Sequence, residues 1–329
     1  MNIAVIGSNS FSGSSFCKYL IKKKINVFAF SRSKEVENLF APYRKIPNYK
    51  KYFSFYRLNL NNSDEIEKMI KIIKKSKVKY IVNFAAQGMV AESWIKPEDW
   101  YFTNVVSNSI LINKLSKLKI KKYLNFSTPE VYGDIKKLKK ENNIFNPSTP
   151  YAISRAAQDL NLKAYFNALR FPVVFTRTAN VYGPHQQLYR IIPKTIIKSL
   201  KNEMLELHGG GSSVRSFIHI DDVSSAIFKI LLKEKNIGET FHISTKKFIS
   251  IKDLVKKIHL KLNLRPKIKI VGDRSGKDHG YYLNSNKLRK MEKWKDQIEL
   301  DEGIDETISW IKDNYLIIEK RLLEYKHKK

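Results

Sequence analysis

The chain contains one cysteine, few acidic residues and no long apolar segment, and each shortage excludes a class of protein. A single cysteine among 329 residues, Cys17, excludes an internal disulfide and a cysteine-based metal cluster. No apolar run approaches the roughly 20 residues that span a bilayer. We therefore expect no membrane-spanning helix and no metal site. The sequence starts in a strand-like segment without a basic leader, which predicts a cytoplasmic protein.

The shortage of acidic residues leaves a large positive charge. Lysine and arginine number 61 against 31 aspartates and glutamates, so the net charge is +30. Such an excess can indicate a nucleic-acid groove. The lysine runs at 22–24, 74–75 and 136–137 lack the interleaved aromatic residues that stack on bases, however. We interpret them as solvated surfaces and expect no nucleic-acid partner, although a positive field favours an anionic small substrate.

The first half of the chain alternates short apolar segments with helical ones. Strands that alternate with helices form a parallel sheet covered on both faces. The sequence therefore predicts an α/β fold of the Rossmann type, with a doubly wound parallel sheet. The predicted strands are 2–6, 26–30, 51–58, 80–84, 122–126 and 172–176, and the predicted helices are 11–23, 64–75 with Ser63 as cap, 99–118 and 150–168.

After residue 176 glycine-rich loops interrupt this alternation, which indicates a smaller α/β lobe in the C-terminal part. We assign residues 1–176 plus 216–246 to a dinucleotide-binding domain and 177–215 plus 247–329 to a substrate lobe. The elements predicted there are a strand at 215–220, a following helix capped by Asp221 or Asp222, and helices at 250–262 and 302–325.

Residues 7–13 join the first predicted strand to the first helix. A turn in this position directs backbone N–H groups and a helix N-terminus at an anion. Gly7 permits the tight turn and Gly13 the close approach of helix and strand, whereas Ser10 replaces the middle glycine of the dinucleotide-binding pattern. The segment is therefore predicted to bind the diphosphate of a nicotinamide dinucleotide.

The end of the second strand lacks an acidic residue. An aspartate or glutamate is expected there when an enzyme holds the ribose 2′-hydroxyl of NAD. Ser31 and Arg32 occupy this place, and an arginine suits a 2′-phosphate. The sequence therefore favours NADP, with NAD as the alternative.

Two segments carry reactive side chains at the carboxyl ends of strands, where ligands bind in open α/β sheets. Thr128 and Glu130 follow the fifth strand, and Tyr151 and Arg155 begin the next helix on one face, four residues apart. A cation beside a phenol favours the phenolate, so Arg155 is expected to lower the pKa of Tyr151. Such a tyrosine can remove a hydroxyl proton while hydride leaves the same carbon.

These motifs, taken together and in this order, resemble the extended short-chain dehydrogenases/reductases, and more closely the nucleotide-sugar 4,6-dehydratases. The resemblance covers almost the whole chain and implies a nicotinamide cofactor, a nucleotide-diphosphate-sugar substrate and a homodimer formed through helices 99–118 and 150–168. The matching segments are 7–13, 83–87, 103–104, 127–133, Tyr151 to Arg155, 177–184 and 215–222.

The resemblance also implies a role for each matching residue. Thr128 and Tyr151 act on the sugar 4-hydroxyl, with Arg155 beside them, and Glu130 removes the C5 proton before water leaves from C6. The implied substrate-binding residues are Asn180, Arg190 and Arg215. The implied cofactor-binding residues are Gly7, Ser10, Phe11, Gly13, Ser31, Arg32, Asn59, Leu60, Ala85, Ala86, Gln87, Asn104, Tyr151 and Arg155.

Two departures from the dehydratase pattern bear on the reaction. Pro129 replaces the aspartate that serves as general acid in many dTDP-glucose dehydratases, so Glu130 must act as base and then as acid. Arg155 replaces a lysine and keeps its charge with a different shape. Two alternatives stay open: a 4-epimerase or uronate decarboxylase that also oxidises C4, and a catalytically silent binding protein on the same fold.

Overall fold

A seven-stranded parallel sheet forms the centre of the computed structural model, which describes residues 1–272 and 280–328. The order of its strands is β11-β6-β5-β4-β1-β2-β3, which confirms the predicted Rossmann-type fold. The strands in chain order are β1 Asn2–Ile6, β2 Asn26–Ser31, β3 Phe53–Arg57, β4 Tyr80–Asn83, β5 Lys122–Ser127, β6 Val173–Thr178, β7 Asn180–Tyr182, β8 Leu205–His208, β9 Val214–Arg215, β10 Phe217–His219, β11 Thr240–Ile243, β12 Ile249–Ser250 and β13 Ile268–Val271.

Helices cover both faces of this sheet and build most of the remaining lobe. Separate hydrophobic cores lie on the two faces of the sheet, and a third core lies in the lobe that contains Ile196, Leu254 and Ile308. The helices in chain order are α1 Phe11–Lys22, α2 Ser63–Lys75, α3 Pro97–Tyr101, α4 Asn108–Leu115, α5 Pro150–Leu169, α6 Ile191–Leu200, α7 Ile220–Leu232, α8 Ile251–Leu262, α9 Asn286–Glu292, α10 Leu300–Asp313 and α11 Tyr315–Ile318.

The strand order reverses between β1 and β4, and this reversal positions the site. β1 pairs with β2 on one side and with β4 on the other, and Ile6 lies beside Asn83 at their carboxyl ends. The connections after these two strands diverge to opposite faces of the sheet, which opens a crevice above them. The apolar β1 residues from Ile3 to Ile6 are buried, as expected for a strand covered on both faces.

The helix predicted at 99–118 begins and ends earlier and contains a π-helical turn, Phe102–Ser107, between α3 and α4. Pro97 is its first residue, since a proline needs no hydrogen-bond partner in that position. The wider turn directs Thr103, Asn104 and Ser107 into the protein, where all three are buried. Turns of this kind occur frequently at functional sites.

Several predicted boundaries are wrong for local reasons. The strand predicted at 51–58 begins only at Phe53, because Asn48 has a positive φ of 56° and residues 49–51 form a helical turn. Asn62, not Ser63, caps α2, since its side chain accepts from the N–H groups of Asp64 and Glu65.

The C-terminal lobe shows two further differences. The strand predicted at 215–220 is divided at Ser216, because β9 pairs with β12 whereas β10 pairs with β7. His219, rather than Asp221 or Asp222, caps the helix that follows.

The helix predicted at 302–325 ends at Asp313, where the Asn314 side chain donates to the carbonyl oxygen of Trp310. The bounds of the two predicted lobes stay a prediction. Among the residues that the structure describes, no helix combines the length and apolar character needed to cross a bilayer.

Candidate functional site

The turn after β1 has the geometry of a phosphate-binding turn. Gly7 has a φ of +79°, and a Cβ at this residue would lie 2.6 Å from the Ala85 nitrogen. A Cβ at Gly13 would lie 2.3 Å from the Gly7 carbonyl oxygen. Ser10 caps α1: its hydroxyl donates to Gly7 O over 2.7 Å and accepts from Gly13 N over 3.0 Å. The Ser10 side chain is therefore held against the turn's own backbone.

A first cavity extends from this turn over the ends of β1, β2 and β3. Among the described residues that line it there is no aspartate or glutamate, whereas Arg32 and Lys328 are present. Burial lowers the pKa of Arg32, and the nearby Tyr325 and Asp99 oppose this. The predicted cofactor residues that line this cavity are Gly7, Ser10, Ser31, Arg32, Asn59, Leu60, Ala85 and Ala86.

The loop after β4 separates this cavity from a second one and is fixed by Asn104. The Asn104 side chain accepts from Gln87 N over 2.8 Å and donates to Gln87 O over 3.1 Å. It also donates to the Ser154 hydroxyl over 2.9 Å, which ties the loop to α5. Asn104 lines neither of these two cavities and positions the loop, whereas Phe11 and Gln87 line the second cavity.

The second cavity brings all four predicted catalytic residues together. Thr128, Glu130, Tyr151 and Arg155 line it, although Thr128 and Tyr151 are 23 residues apart in the sequence. The Thr128 hydroxyl hydrogen-bonds to the Tyr151 side chain and also accepts from Glu130 N over 3.3 Å. The turn after β5 and the start of α5 therefore present a hydroxyl, a phenol and a carboxylate to one space.

Tyr151 corrects one expectation. Its pKa is raised, not lowered: burial is the largest cause, and the charge of Glu130 adds to it. Three groups lower the pKa of Tyr151 but do not outweigh these effects: the charge of Arg155, the hydrogen bond from Thr128 and the charge of Arg190. A like charge and a low-polarity surrounding both disfavour the phenolate.

Arg155 is a buried cation, 4% exposed, and not part of the solvated surface. One terminal nitrogen donates to the carbonyl oxygen of Phe126, and the Nε atom has no hydrogen-bond partner among the residues that the structure describes. Arg155 forms no ion pair with any residue in the described part of the chain. A buried charge without a carboxylate partner is costly unless a ligand or a reacting group uses it.

A buried network lies beneath the same turn. Asp159 accepts from Asn125 over 2.8 Å, from Ser127 over 2.9 Å and from Arg177 over 3.3 Å. Arg177 also donates to the Tyr132 hydroxyl, which is 2.9 Å from the Nε2 atom of His242. Burial lowers the pKa of His242 to about 3, so its ring is neutral at pH 7. The network fixes both ends of the turn that carries Thr128 and Glu130.

A third cavity adjoins the second and contains the predicted substrate residues. Asn180, Arg190 and Arg215 line it, and Glu130 and Tyr151 line both cavities. The Arg215 guanidinium lies 4.6 Å from the centre of the Tyr281 ring. Two arginines and an amide next to the catalytic residues form a surface suited to an anionic group.

Comparison with known proteins identifies the family. The model of the NAD dependent epimerase/dehydratase family matches residues 3–244 of this chain. This chain belongs to that family.

The dTDP-D-glucose 4,6-dehydratase of Homo sapiens is 31% identical over 251 residues, which cover 74% of this chain and 71% of the human protein. The crystal structure of the dTDP-glucose 4,6-dehydratase from Streptomyces venezuelae, with NAD bound, is 25% identical with a TM-score of 0.88 and covers 96% and 98% of the two chains. The UDP-glucose 4-epimerase of Thermotoga maritima, 24% identical with a TM-score of 0.86 over 96% and 100%, shares the fold.

The residues present fit the nicotinamide dinucleotide that the family name specifies. Because Gly7 and Gly13 have no Cβ, the turn packs closely against Ala85 and against its own backbone, which places Ser10, the cap of α1, at the first cavity. Arg155, whose buried Nε has no hydrogen-bond partner among the described residues, lines the adjoining cavity. The prediction of a nicotinamide dinucleotide cofactor is confirmed for the family, without distinguishing its two forms.

Sequence reasoning missed several residues that this family member brings to the three cavities. Most belong to distant segments that only the tertiary fold joins, so no local motif could reveal them. The missed residues are Asn61, Tyr281, Tyr325 and Lys328.

Proposed function

We propose that this chain is a nucleotide-sugar 4,6-dehydratase, which converts its substrate to the 4-keto-6-deoxy sugar nucleotide. The observation that carries the proposal is the meeting of Thr128, Glu130 and Tyr151 in one cavity beside the dinucleotide crevice. The names of the human and Streptomyces relatives support the same reaction. The shared fold of the Thermotoga epimerase supports only the architecture.

Tyr151 and Thr128 begin the reaction at the sugar 4-hydroxyl. When bound, a nicotinamide would supply a hydride acceptor for C4 and a hydride donor for C6. Tyr151 accepts the 4-hydroxyl proton, and Thr128 orients the phenol through their hydrogen bond. Arg155 favours the phenolate that this transfer requires, and it does so against the effect of burial.

Glu130 performs the elimination. Oxidation at C4 acidifies the C5 proton, and a carboxylate can then remove it. Pro129 offers no donor, so the same Glu130 proton passes, directly or through water, to the departing 6-hydroxyl. When hydride is added at C6, a solvent proton delivered through Glu130 is added at C5, and the proton held by Tyr151 is released to solvent. The proximity of Glu130 to Tyr151, which raises the pKa of the phenol, supports the action of both groups on one sugar ring.

The third cavity holds the diphosphate and the nucleotide. Arg190 and Arg215 supply charge-assisted donors for phosphate oxygens, and Asn180 supplies a neutral amide in the same cavity. We assign these residues to the substrate lobe, 177–215 plus 247–329.

NADP is the form of the cofactor that we propose. The absence of acidic residues from the described lining of the first cavity, together with Arg32 at the end of β2, supports a site for the 2′-phosphate. NAD in the Streptomyces structure belongs to that protein.

A homodimer is the assembly that we propose. Several large apolar side chains on the 97–115 helical segment and on α5 are exposed, in contrast to those facing the sheet: Tyr101, Phe102, Val106, Ile153 and Leu160. A helix face of this kind suits burial against a second copy. Light scattering at micromolar concentration should give twice the mass of one chain, and a monomer would contradict it.

A panel of nucleotide sugars, with products analysed by mass spectrometry, tests the reaction. A dehydratase lowers the substrate mass by one water. Loss of carbon dioxide would indicate the decarboxylase instead. Unchanged mass with an inverted 4-hydroxyl would indicate the epimerase, and no conversion with tight binding would indicate the silent binding protein.

A further inference from the structure

Residues 325–328, named the strap here, lie across the mouth of the dinucleotide crevice. The strap is anchored on α3, more than 220 residues away in the sequence: His327 Nε2 is 2.7 Å from an Asp99 carboxylate oxygen. The His327 ring also stacks on Trp100, with 4.9 Å between centres and 11° between planes. Trp100 is fully buried under this contact. A paired and stacked histidine gives the strap a defined place.

Beyond this anchor the strap contacts both halves of the crevice. The Gln87 side chain donates to the Lys328 carbonyl oxygen over 2.7 Å, which binds the strap to the loop after β4. Lys328 lines the first cavity, and Tyr325 lines the second. Tyr325 also packs edge-on against Tyr189, with 5.5 Å between ring centres. The strap therefore spans the boundary between the two cavities.

Lys328 adds a cation where the cavity has no acidic partner for it. The described lining of the first cavity contains Arg32 and the phosphate-binding turn but no carboxylate. The Lys328 side chain is exposed, so it can move toward an anion at small cost. A dinucleotide brings a diphosphate to this place in either of its two forms.

We propose that the strap retains the bound dinucleotide, with Lys328 as a cation for its phosphates and with His327 and Gln87 as its two anchors. The proposal rests on the proposed function in one respect. A dehydratase regenerates its oxidised cofactor in every cycle, so slow release of the cofactor does not limit turnover. A strap that slows cofactor release suits such a cycle. It would hinder an enzyme whose cofactor must exchange in every turnover.

The dissociation rate of the cofactor tests the proposal without any substrate. The full chain and a variant ending at Glu324 are loaded with the reduced form of NADP or of NAD. Release after dilution is followed by the change in the fluorescence of the reduced nicotinamide. We expect the shortened variant to release either form roughly tenfold faster. Lys328→Ala should accelerate release about fivefold, the upper range for one exposed charge contact.

Lys326→Ala is the matched control, because this lysine is exposed and lines none of the three cavities. It should leave release unchanged. His327→Ala, whose folding is checked by thermal unfolding without cofactor, should release the cofactor as fast as the shortened variant, because His327 is one of the two anchors. Unchanged release in the Glu324-terminated variant would overturn the proposal, and so would slower release or tighter binding, which would make the strap an obstructing segment. Because no turnover is measured, these results are independent of the reaction assigned above.

Discussion

Two regions meet at the turn after β5, and each contains a buried arginine. Below the turn, Arg177 is 1% exposed and its terminal nitrogens contact Asp159, Tyr132 and the Asn142 carbonyl oxygen. Above it, Arg155 is 4% exposed and donates to one backbone carbonyl, with no ion pair among the described residues. In the described part of the chain the Nε atom of each arginine has no hydrogen-bond partner, so the difference lies in the terminal nitrogens.

The difference separates a structural charge from a functional one. Removing one member of a buried ion pair leaves the other uncompensated, so the Arg177 network is expected to matter for stability. A buried cation that has no counter-charge contributes little to folding and can persist because it acts on a neighbour. Its effect on the pKa of Tyr151 indicates what that action is.

Glu130→Gln, above the turn after β5, should have the largest effect. It should slow the reaction and leave stability unchanged. The amide keeps the shape of the side chain but cannot accept the C5 proton, so dehydration should slow roughly 10²–10⁴-fold. C4 oxidation should persist, because it depends on Tyr151 and Thr128, and reduced cofactor should accumulate in absorbance. Solvent deuterium at C5 should be incorporated by the native enzyme and not by the variant.

Glu302→Gln, at an exposed position on α10, is the control and should keep full activity. Dehydration by Glu130→Gln at a near-native rate would remove Glu130 from the mechanism. A decarboxylase, in contrast, has no need of C5 deprotonation and would not show this separation.

Asp159→Asn tests the Arg177 network below the turn after β5 and should lower the stability of the protein. The substitution leaves Arg177 without its counter-charge, and the free energy of unfolding should fall by about 3–5 kcal/mol. Urea unfolding of the variant, compared with the exposed Asp313→Asn, measures this. A loss similar to that of Asp313→Asn would mean that the network is not part of the structural frame.

The sequence predicts those features that depend on contacts between residues close together in the chain. Tyr151 and Arg155 share a helical face by spacing alone, and Thr128 and Glu130 follow an easily recognised strand. The capping role of Ser10 is also a local property. These features depend on neighbouring residues, so periodicity and capping rules reach them.

The remaining features depend on the tertiary structure. The π-helical turn at Phe102–Ser107 has no composition that marks it, and it brings Asn104 to the loop after β4. Lys328 meets Gln87 across 241 residues. The pKa of Tyr151 follows from burial, which spacing does not give, and this explains why its expected direction was wrong.

Arg155→Met should separate the two arginines by changing activity without weakening the fold. The unfolding free energy should stay unchanged or rise, because an uncompensated buried charge is replaced by an apolar side chain. At pH 7 the rate should fall roughly 10²-fold. Arg155 favours the Tyr151 phenolate, so its removal raises the pKa of Tyr151 further, and the acidic limb of kcat/KM should move to higher pH.

Glu130→Gln supplies the opposite sign for the same measurement. The loss of a like charge lowers the pKa of Tyr151, so the acidic limb of the C4 oxidation rate should move to lower pH. Arg170→Met, at the exposed end of α5, should move neither limb. If the acidic limb moved in the same direction for Arg155→Met and Glu130→Gln, the assignment of Tyr151 as the titrating base would be contradicted.

Arg32→Ala should have the smallest effect and tests whether a second cleft arginine also serves a ligand. Arg32 lines both the first and the second cavity and forms no ion pair in the described part of the chain, as Arg155 does. A lost contact to a 2′-phosphate should weaken NADP binding roughly tenfold and leave NAD nearly unchanged, since charge-assisted hydrogen bonds contribute about 1.5–3 kcal/mol at most. Calorimetry with both forms measures the ratio, and Lys34→Ala, an exposed cation that lines neither cavity, is the control. Equal weakening of NAD and NADP would place Arg32 at the diphosphate, and an NAD preference in the native enzyme would contradict the proposed form of the cofactor.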